Sequence, residues 1–467
     1  MIIKLIMIKK DIFNIRLKIY KRGGDMDAVK NNKEDQELLD NDFTDILKAF
    51  LYSFIGICIF FLPIKIDGQT RTLLYHIAFK IQDNMKGFLQ ICIVIYMILG
   101  IVKALKKEKN EKVIKIFIFL RIISLIIILN IFYGSKSFIF LSENAAQLID
   151  ELVINIATIL PLSSIFMPFI LEYGFLDIVE SYFHNIMKKI FKMSGKTLVN
   201  ILVYIYTDCF CGYFMTNKLY RCGKLRESEA CILVLNFSIL SFQMISYLCN
   251  ELNITKLEFI FTSTSILILT NMILCRIYPI SKKKKSYFIK TNYRETIHRK
   301  NKFKKGVKKY IQNKNKASIF KHIIDNLEEA FNVVIDLIPN IIIILFLSDI
   351  LVNNVLIIDI LKITLYPFMD MLKLHGIDEI NKFIVTTFFN DILAVDNVSE
   401  GIGYTARFVI CIIATLKCTS LSGNMIYMKS AIVPVCKKDF LIVYIERIML
   451  ILAIYSLGYY FYIGYIT

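Results

Sequence analysis

The chain has 467 residues, of which 56% are hydrophobic, and it combines a mean hydropathy of +0.56 with a formal net charge of +18. Soluble chains contain about 45–50% apolar residues, so this composition excludes an ordinary soluble globular protein. The basic residues cluster in short segments beside apolar stretches, a pattern typical of the cytoplasmic loops of membrane proteins and not of nucleic-acid binding.

Residues 1–42 form a basic tail that we expect in the cytoplasm. Its first part, before Met26, is either a basic surface helix or an extension upstream of a chain that starts at Met26. Residues 43–146 predict a membrane segment of three helices, with spans at 43–62, 88–105 and 115–133 that are long enough to cross a bilayer. The lysine-rich 103–115 segment is expected inside, and the 63–86 and 134–151 segments are expected outside.

Residues 147–280 predict a second membrane unit. A span at 148–171 runs inward and delivers the basic segment 173–196 to the cytoplasm. The apolar stretch 197–215 is broken at Thr207, Asp208 and Gly212 and has basic residues at both ends, which favours a re-entrant hairpin over a single crossing. Spans at 229–249 and 259–277 complete the unit, and the basic segment 281–327 is expected to be a cytoplasmic loop near anionic lipid headgroups.

A shift of 181 residues aligns this unit with residues 328–467. LSFQMI at 240–245 falls on LSGNMI at 421–426, and Ser238 falls on Thr419. Acidic residues flank the second hairpin, which places it outside, opposite to the first. The predicted fold is therefore an all-α polytopic helical bundle of about nine transmembrane helices and two re-entrant hairpins, with an inverted pair of repeats, a cytoplasmic N-terminus and an external C-terminus.

Four sequence islands occur in order: PLSSIFMPFILEYG at 161–174, MKKIFKMSG at 187–195, TNKLY at 216–220 and RESEACILVLNFSILS at 226–241. This run resembles the YjiH-like branch of the nucleoside-recognition, or Gate, domain membrane proteins, which are related to nucleoside transporters and to the Gate domains of ferrous-iron transport proteins. Residues 54–81 and 329–461 resemble the family's first span and its second Gate half. The chain departs from the family at 207–211 and at 278–281, so the resemblance implies solute handling without fixing a nucleoside as the solute.

Polar side chains inside a span are costly unless they find a partner or a cavity. Asn236, Leu240 and Gln243 would share one helical face, and Lys417 is expected either to pair with Asp391 or Asp396 or to snorkel to the inner face. The alternative interpretation of these polar residues is interhelical hydrogen bonding. The predicted solute site comprises Thr207, Asp208, Asn217, Asn236, Ser238, Ser241, Gln243, Asn390, Asp391, Asp396, Lys417, Thr419, Ser422 and Asn424. Arg121 is expected to be structural or lipid-facing.

No enzymatic activity, cofactor or metal is predicted. Ser194-Gly195-Lys196-Thr197 ends like a phosphate-binding loop, but Ile190 stands where that loop requires a glycine. We therefore expect a bacterial inner-membrane protein that moves or senses a small polar solute such as a nucleoside, with H⁺ or Na⁺ as a coupling cation. The alternative is a non-transporting scaffold or assembly factor in envelope or spore development. The oligomeric state stays open.

Overall fold

The computed structural model describes residues 47–48, 50–66, 68–107, 111–134, 141–289, 318–352, 359, 363, 366–368, 370, 372, 376–389, 402–417 and 432–466. The first half contains α1 Phe50–Phe61, β1 Pro63–Ile66, β2 Gln69–Thr72, α2 Leu73–Lys107, α3 Glu111–Tyr133, α4 Glu143–Leu171, α5 Phe175–Phe191, α6 Thr197–Tyr206 and α7 Cys209–Arg221. It is followed by α8 Glu227–Asn236, α9 Phe242–Glu251, α10 Lys256–Leu274, α11 Ile319–Val352, α12 Ile377–Phe389, α13 Tyr404–Leu416 and α14 Lys437–Ile466.

Five of the described helices are long and apolar enough to cross a membrane, namely Leu73–Leu105, Glu143–Leu171, Lys256–Leu274, Ile319–Leu351 and Lys437–Tyr460. α10 exposes Leu257 and Phe261 almost fully, which is the expected behaviour of a lipid-facing surface. The described chain is therefore a predominantly α-helical membrane protein.

Residues 63–86 do not form the predicted loop, and their predicted position outside the membrane stays a prediction. β1 and β2 form an antiparallel hairpin in which Ile64 pairs with Arg71. Gly68 lies in the turn with φ of 79°, a conformation that glycine adopts without steric cost. α2 then begins at Leu73 and bends at Met85, which has non-helical φ and ψ. The helix therefore starts well before the predicted span.

α4 and α11 pack against each other in antiparallel orientation. At one end, the Asp349 carboxylate accepts hydrogen bonds from the backbone N–H and the hydroxyl of Ser142, at 2.9 and 2.7 Å. At the other end, Asn326 Nδ2 donates to the Ser164 carbonyl at 3.3 Å. Both helices contribute buried residues to the hydrophobic core, among them Leu160 of α4 and Ile338 of α11.

α10 and α14 are also antiparallel. Lys283, beyond the end of α10, pairs at 2.6 Å with Asp439 in the first turn of α14. Near the start of α10, the Phe259 ring contacts Phe408 of α13, and Phe408 in turn contacts Tyr455 late in α14. α13 thus packs against both helices.

The predicted continuous span at 229–249 is wrong. α8 ends at Asn236, α9 begins at Phe242, and residues 237–241 between them are not helical. The prediction that Asn236, Leu240 and Gln243 share one helical face is therefore wrong as well. Ile239 and Ser238 are buried, so the break lies inside the protein and not at its surface.

Asp336 of α11 joins that helix to α2 and α3. Its carboxylate pairs with Lys103 of α2 at 2.8 Å and with Arg121 of α3 at 3.4 Å. Arg121 also donates to the Gly100 carbonyl. Of the two expectations for Arg121, the structure therefore supports the structural one.

Candidate functional site

α6 and α7 form a helical hairpin whose arms touch closely. Asn200 Nδ2 donates to Thr216 Oγ1 at 2.8 Å, and the Tyr204 hydroxyl lies 3.1 Å from the same oxygen. Gly212 faces the Tyr204 ring, and a Cβ at Gly212 would lie only 2.4 Å from the nearest ring carbon. Glycine at this position is therefore required by the close approach of the two arms.

The base of this hairpin is held by two buried carboxylates. Glu180 of α5 accepts from His184 Nδ1 at 2.8 Å and from the Lys196 N–H at 2.7 Å. Glu229 of α8 accepts from the Ser194 N–H at 2.6 Å. Burial raises the pKa of Glu180, but the His184 hydrogen bond and the Lys196 charge together lower it by more than burial raises it. The pKa of Glu180 therefore lies below its ordinary value.

The tip of the hairpin lies where α6 ends and α7 begins. Asp208 is the N-cap of α7 and accepts from the Phe210 N–H at 2.8 Å. The Tyr75 hydroxyl of α2 donates to the Thr207 carbonyl at 2.9 Å and also contacts the Asp208 carboxylate. The Ser241 side chain lies near the Tyr75 hydroxyl. The structure therefore brings together three of the predicted residues, Thr207, Asp208 and Ser241, around Tyr75.

The break between α8 and α9 meets the end of α13. The Leu240 N–H donates to the Thr415 carbonyl at 3.3 Å. The buried Lys417, which follows α13, donates to the carbonyl and the hydroxyl of Thr387 in α12. Arg447 of α14, also fully buried, donates to the Leu416 carbonyl. We call this region the crossing.

α10 completes the crossing with buried polar groups. Asn236 Nδ2 donates to Cys275 Sγ at 3.5 Å, just beyond the end of α10, and Asn271 lies one turn earlier. Among the described residues, no hydrogen-bond partner exists for Asn236 Oδ1, for either side-chain atom of Asn271, or for the hydroxyls of Thr270 and Thr415. These residues are at most 1% exposed. Buried polar atoms without partners are uncommon and need an explanation.

Comparison with known proteins finds one family model that matches part of the chain. Residues 153–255 match the family model described as Gate, nucleoside recognition. This Gate segment runs from within α4 through the first hairpin and the helix break to the loop before α10.

One curated relative is an uncharacterized protein of Alkalihalophilus pseudofirmus, 22% identical over 280 residues. The alignment covers 55% of this chain and 60% of that protein, so the match spans less than two thirds of the relative. No solved structure matches the chain.

Two other predicted residues of the Gate segment lie apart from the crossing or at its edge. Asn217 lies about 13 Å along α7 from Asp208, at a rise of about 1.5 Å per residue, and its Oδ1 accepts from the Ile432 N–H at 2.8 Å. Gln243 is half-buried in the first turn of α9, and its Oε1 has no partner among the described residues. Asn217 therefore holds the segment before α14, away from the hairpin tip.

Part of the second predicted half-site lies outside the described residues, namely Asn390, Asp391, Asp396, Thr419, Ser422 and Asn424. Lys417 is described and is 1% exposed, so the prediction that it snorkels to the inner face is wrong. Its proposed pairing with Asp391 or Asp396 stays a prediction.

The sequence-based site omitted several residues of the crossing. Asn271 and Arg447 lie inside apolar spans. The energetic cost of placing a polar or charged side chain in a membrane could by itself have identified them. Tyr75, at the hairpin tip, lies in the segment that was predicted to be a loop. Thr387 and Thr415 have no sequence signal that separates them from the many threonines whose hydroxyls bond a carbonyl of their own helix. Within the described ranges, no group of three His, Cys, Asp or Glu side chains could hold a metal ion.

Proposed function

We propose that this chain is a membrane transporter that carries a small polar solute past a site at the crossing. The Gate segment supports this proposal, because Gate-domain families are associated with transporters and not with enzymes. It supplies the first hairpin, the helix break and Asn236. The observation that carries the proposal is the set of buried polar atoms at the crossing that have no hydrogen-bond partner among the described residues.

An inverted pair of repeats is part of the proposal. At the offset of 181 residues, the starts of α10 and α14 coincide, at Lys256 and Lys437. Both pairs of equivalent helices are antiparallel, as the contacts between α4 and α11 and between α10 and α14 require. Opposite orientation of equivalent helices supports inversion, and solute sites in such folds lie between the repeats at discontinuous helices.

The chemistry of the crossing favours a solute that both donates and accepts hydrogen bonds. Asn271 offers a carbonyl and an amide, and Asn236 offers a carbonyl. Each such group, buried without a partner, costs about 1–3 kcal/mol, which a bound polar solute would recover. A nucleoside fits this description, and so do other small polar molecules.

Transport would proceed by alternating access of the two repeats around the crossing, without a covalent step. We further propose a bacterial inner-membrane location with a cytoplasmic N-terminus, and H⁺ or Na⁺ coupling through Asp391 or Asp396. A measurement of solute uptake at varied pH and Na⁺ tests the coupling.

The decisive experiment measures the melting temperature of the purified full-length chain with nucleosides, bases, amino acids and divalent metals, for the wild type, Asn236→Ala and Asn271→Ala. We expect one solute class to raise the melting temperature of the wild type and not that of either variant. The control is Asn340→Ala, because Asn340 lies in α11 and bonds the Asp336 carbonyl of its own helix.

The same samples separate a transporter from a scaffold. If the asparagines are solute ligands, alanine removes an unsatisfied polar group, and the ligand-free protein keeps its stability or gains some. A scaffold held together by these side chains predicts a loss of stability in both variants and no response to any solute. That result would refute the site.

A further inference from the structure

α5 lies across the ends of two candidate membrane spans. The chain turns sharply after α4 at Gly174, whose φ is 87°, and α5 begins at the next residue. At its other end, Arg276 donates to the carbonyls of Lys189 and Ile190, both at 2.8 Å. Arg276 lies just beyond α10, so both ends of α5 are fixed where a span ends. The 17-residue helix is about 25 Å long and connects the end of α4 to the end of α10.

One side of α5 faces the protein. Leu176, Glu180, His184, Met187 and Phe191 are buried and recur every three or four residues. Within this set, Glu180 binds the base of the first hairpin through the Lys196 N–H, and His184 hydrogen-bonds to Glu180. The Gly195 backbone packs so closely on α5 that an added Cβ would lie 2.6 Å from the backbone nitrogen of His184.

The remaining circumference of α5 divides into an apolar strip and a basic strip. Val179, Phe183, Ile186 and Ile190 share one side at the same helical spacing, and Phe183 and Ile186 are 40% and 53% exposed. The opposite side carries Asn185, Lys188, Lys189 and Lys192, all exposed. α5 therefore has one side against the protein, a second side with exposed apolar groups and a third with lysines. This arrangement is typical of a helix that lies in the membrane interface.

Further basic residues extend the lysine strip. Lys282, Lys284 and Lys285 are exposed and follow α10 at the same end of the molecule as Arg276. Tyr278 and Phe288 are exposed beside them, as aromatic side chains at a headgroup layer are. The surface at this end is therefore basic with interspersed aromatic rings, which complements anionic headgroups.

We propose that α5 is an interfacial helix that inserts Phe183 and Ile186 among lipid acyl chains and binds anionic phospholipid headgroups through Lys188, Lys189 and Lys192. The occupant of this surface is the bilayer itself. Because the buried side of α5 holds the base of the first hairpin, lipid binding fixes the position from which that hairpin enters the membrane. This inference does not depend on the identity of the solute.

The test uses the absence of tryptophan from the chain. Ile186→Trp and Asn185→Trp each introduce a single fluorophore on neighbouring positions of different strips. The full-length variants are placed in nanodiscs that contain phosphatidylcholine and phosphatidylglycerol, with brominated acyl chains on one lipid at a time. We expect quenching of Ile186→Trp to exceed that of Asn185→Trp at least threefold.

A second comparison tests headgroup recognition. It measures tryptophan quenching by brominated phosphatidylglycerol and by brominated phosphatidylcholine at equal mole fraction. Each lysine should enrich anionic lipid about fivefold, which corresponds to about 1 kcal/mol. The excess quenching by phosphatidylglycerol should disappear when Lys188, Lys189 and Lys192 are all changed to Gln and persist when they are changed to Arg. A charge-matched control changes the exposed Lys65, Lys80 and Lys256 to Gln.

Added inorganic phosphate at low millimolar concentration should leave the headgroup preference intact, because the partner is the bilayer and not free phosphate. Equal quenching at the two tryptophan positions would overturn the insertion of α5. Equal quenching by the two brominated lipids, or loss of the preference in the control triple variant alone, would overturn the recognition of anionic headgroups.

Discussion

The contact between the two arms of the first hairpin gives a sharp prediction. In Gly212→Ala, the new methyl carbon would lie 2.4, 2.5 and 2.6 Å from three carbons of the Tyr204 ring, where ordinary contact begins near 3.4 Å. The arms must therefore separate by about 1 Å, or the ring must leave its site. The ring is fully buried, and its edge-to-face contact with Tyr213 at 5.5 Å leaves it little room.

Overpacking of this kind costs about 1–3 kcal/mol, and alanine recovers about 1 kcal/mol as the better helix former. Because the ring is enclosed, the cost should lie near the upper end of this range, and we expect a net loss of up to about 2 kcal/mol. Thermal unfolding of the full-length protein in detergent measures it. Gly458→Ala is the matched control, because a Cβ at Gly458 of α14 meets nothing within 4 Å and should raise stability.

A second substitution tests the stated cause. Tyr204→Leu removes the ring, so the combined variant should be more stable than the sum of the two single losses predicts. If Gly212→Ala unfolds at the temperature of the wild type, or if the two losses simply add, the close contact between the hairpin arms does not exist as described.

Three further predictions concern charged groups. The pKa of Glu180 is lowered in the folded state, so its carboxylate stabilises the fold above its ordinary pKa, and this stabilisation is lost as the pH falls through the folded-state pKa. Below about pH 5, the melting temperature of the wild type should therefore fall more steeply than that of Glu180→Gln. Arg276→Gln removes two hydrogen bonds to the last turn of α5, and amide hydrogen exchange there should accelerate about tenfold. Asp336→Asn leaves Lys103 and Arg121 without their shared carboxylate and should cost about 1–3 kcal/mol in thermal unfolding, more than Lys103→Ala does.

The positions of the long helices follow from apolar length alone. The spans predicted at 115–133, 148–171 and 259–277 lie within a few residues of α3, α4 and α10. Backbone groups in a bilayer must be satisfied within the segment, so a sufficiently long apolar stretch has few alternatives to a helix. This constraint is local, and the sequence expresses it directly.

The helix break at 237–241 could not be predicted in the same way. The segment Phe237-Ser238-Ile239-Leu240-Ser241 contains neither glycine nor proline, and its composition is that of an ordinary span. What stabilises the break is distant in sequence, because the Leu240 N–H is satisfied by the Thr415 carbonyl and not by its own helix. A pattern within one segment carries no information about such a partner.

One side of the crossing is formed by α8 and α10, and the other by α12, α13 and α14. These two sides differ in chemistry, and the difference bears on which residues would recognise the proposed solute. At the offset of 181 residues, Lys417 occupies the position of Asn236, each at the end of the helix before the break. The carbonyls at a helix C-terminus lack intrahelical partners and attract cations. Arg447 binds the Leu416 carbonyl at the end of α13, and Lys417 binds the carbonyl and hydroxyl of Thr387 in α12. These two cations therefore already bind groups of the protein itself. Asn236 and Asn271 instead keep polar atoms without partners among the described residues. We infer that hydrogen bonding to the solute falls mainly on these asparagines, while the second side fixes the geometry of the crossing.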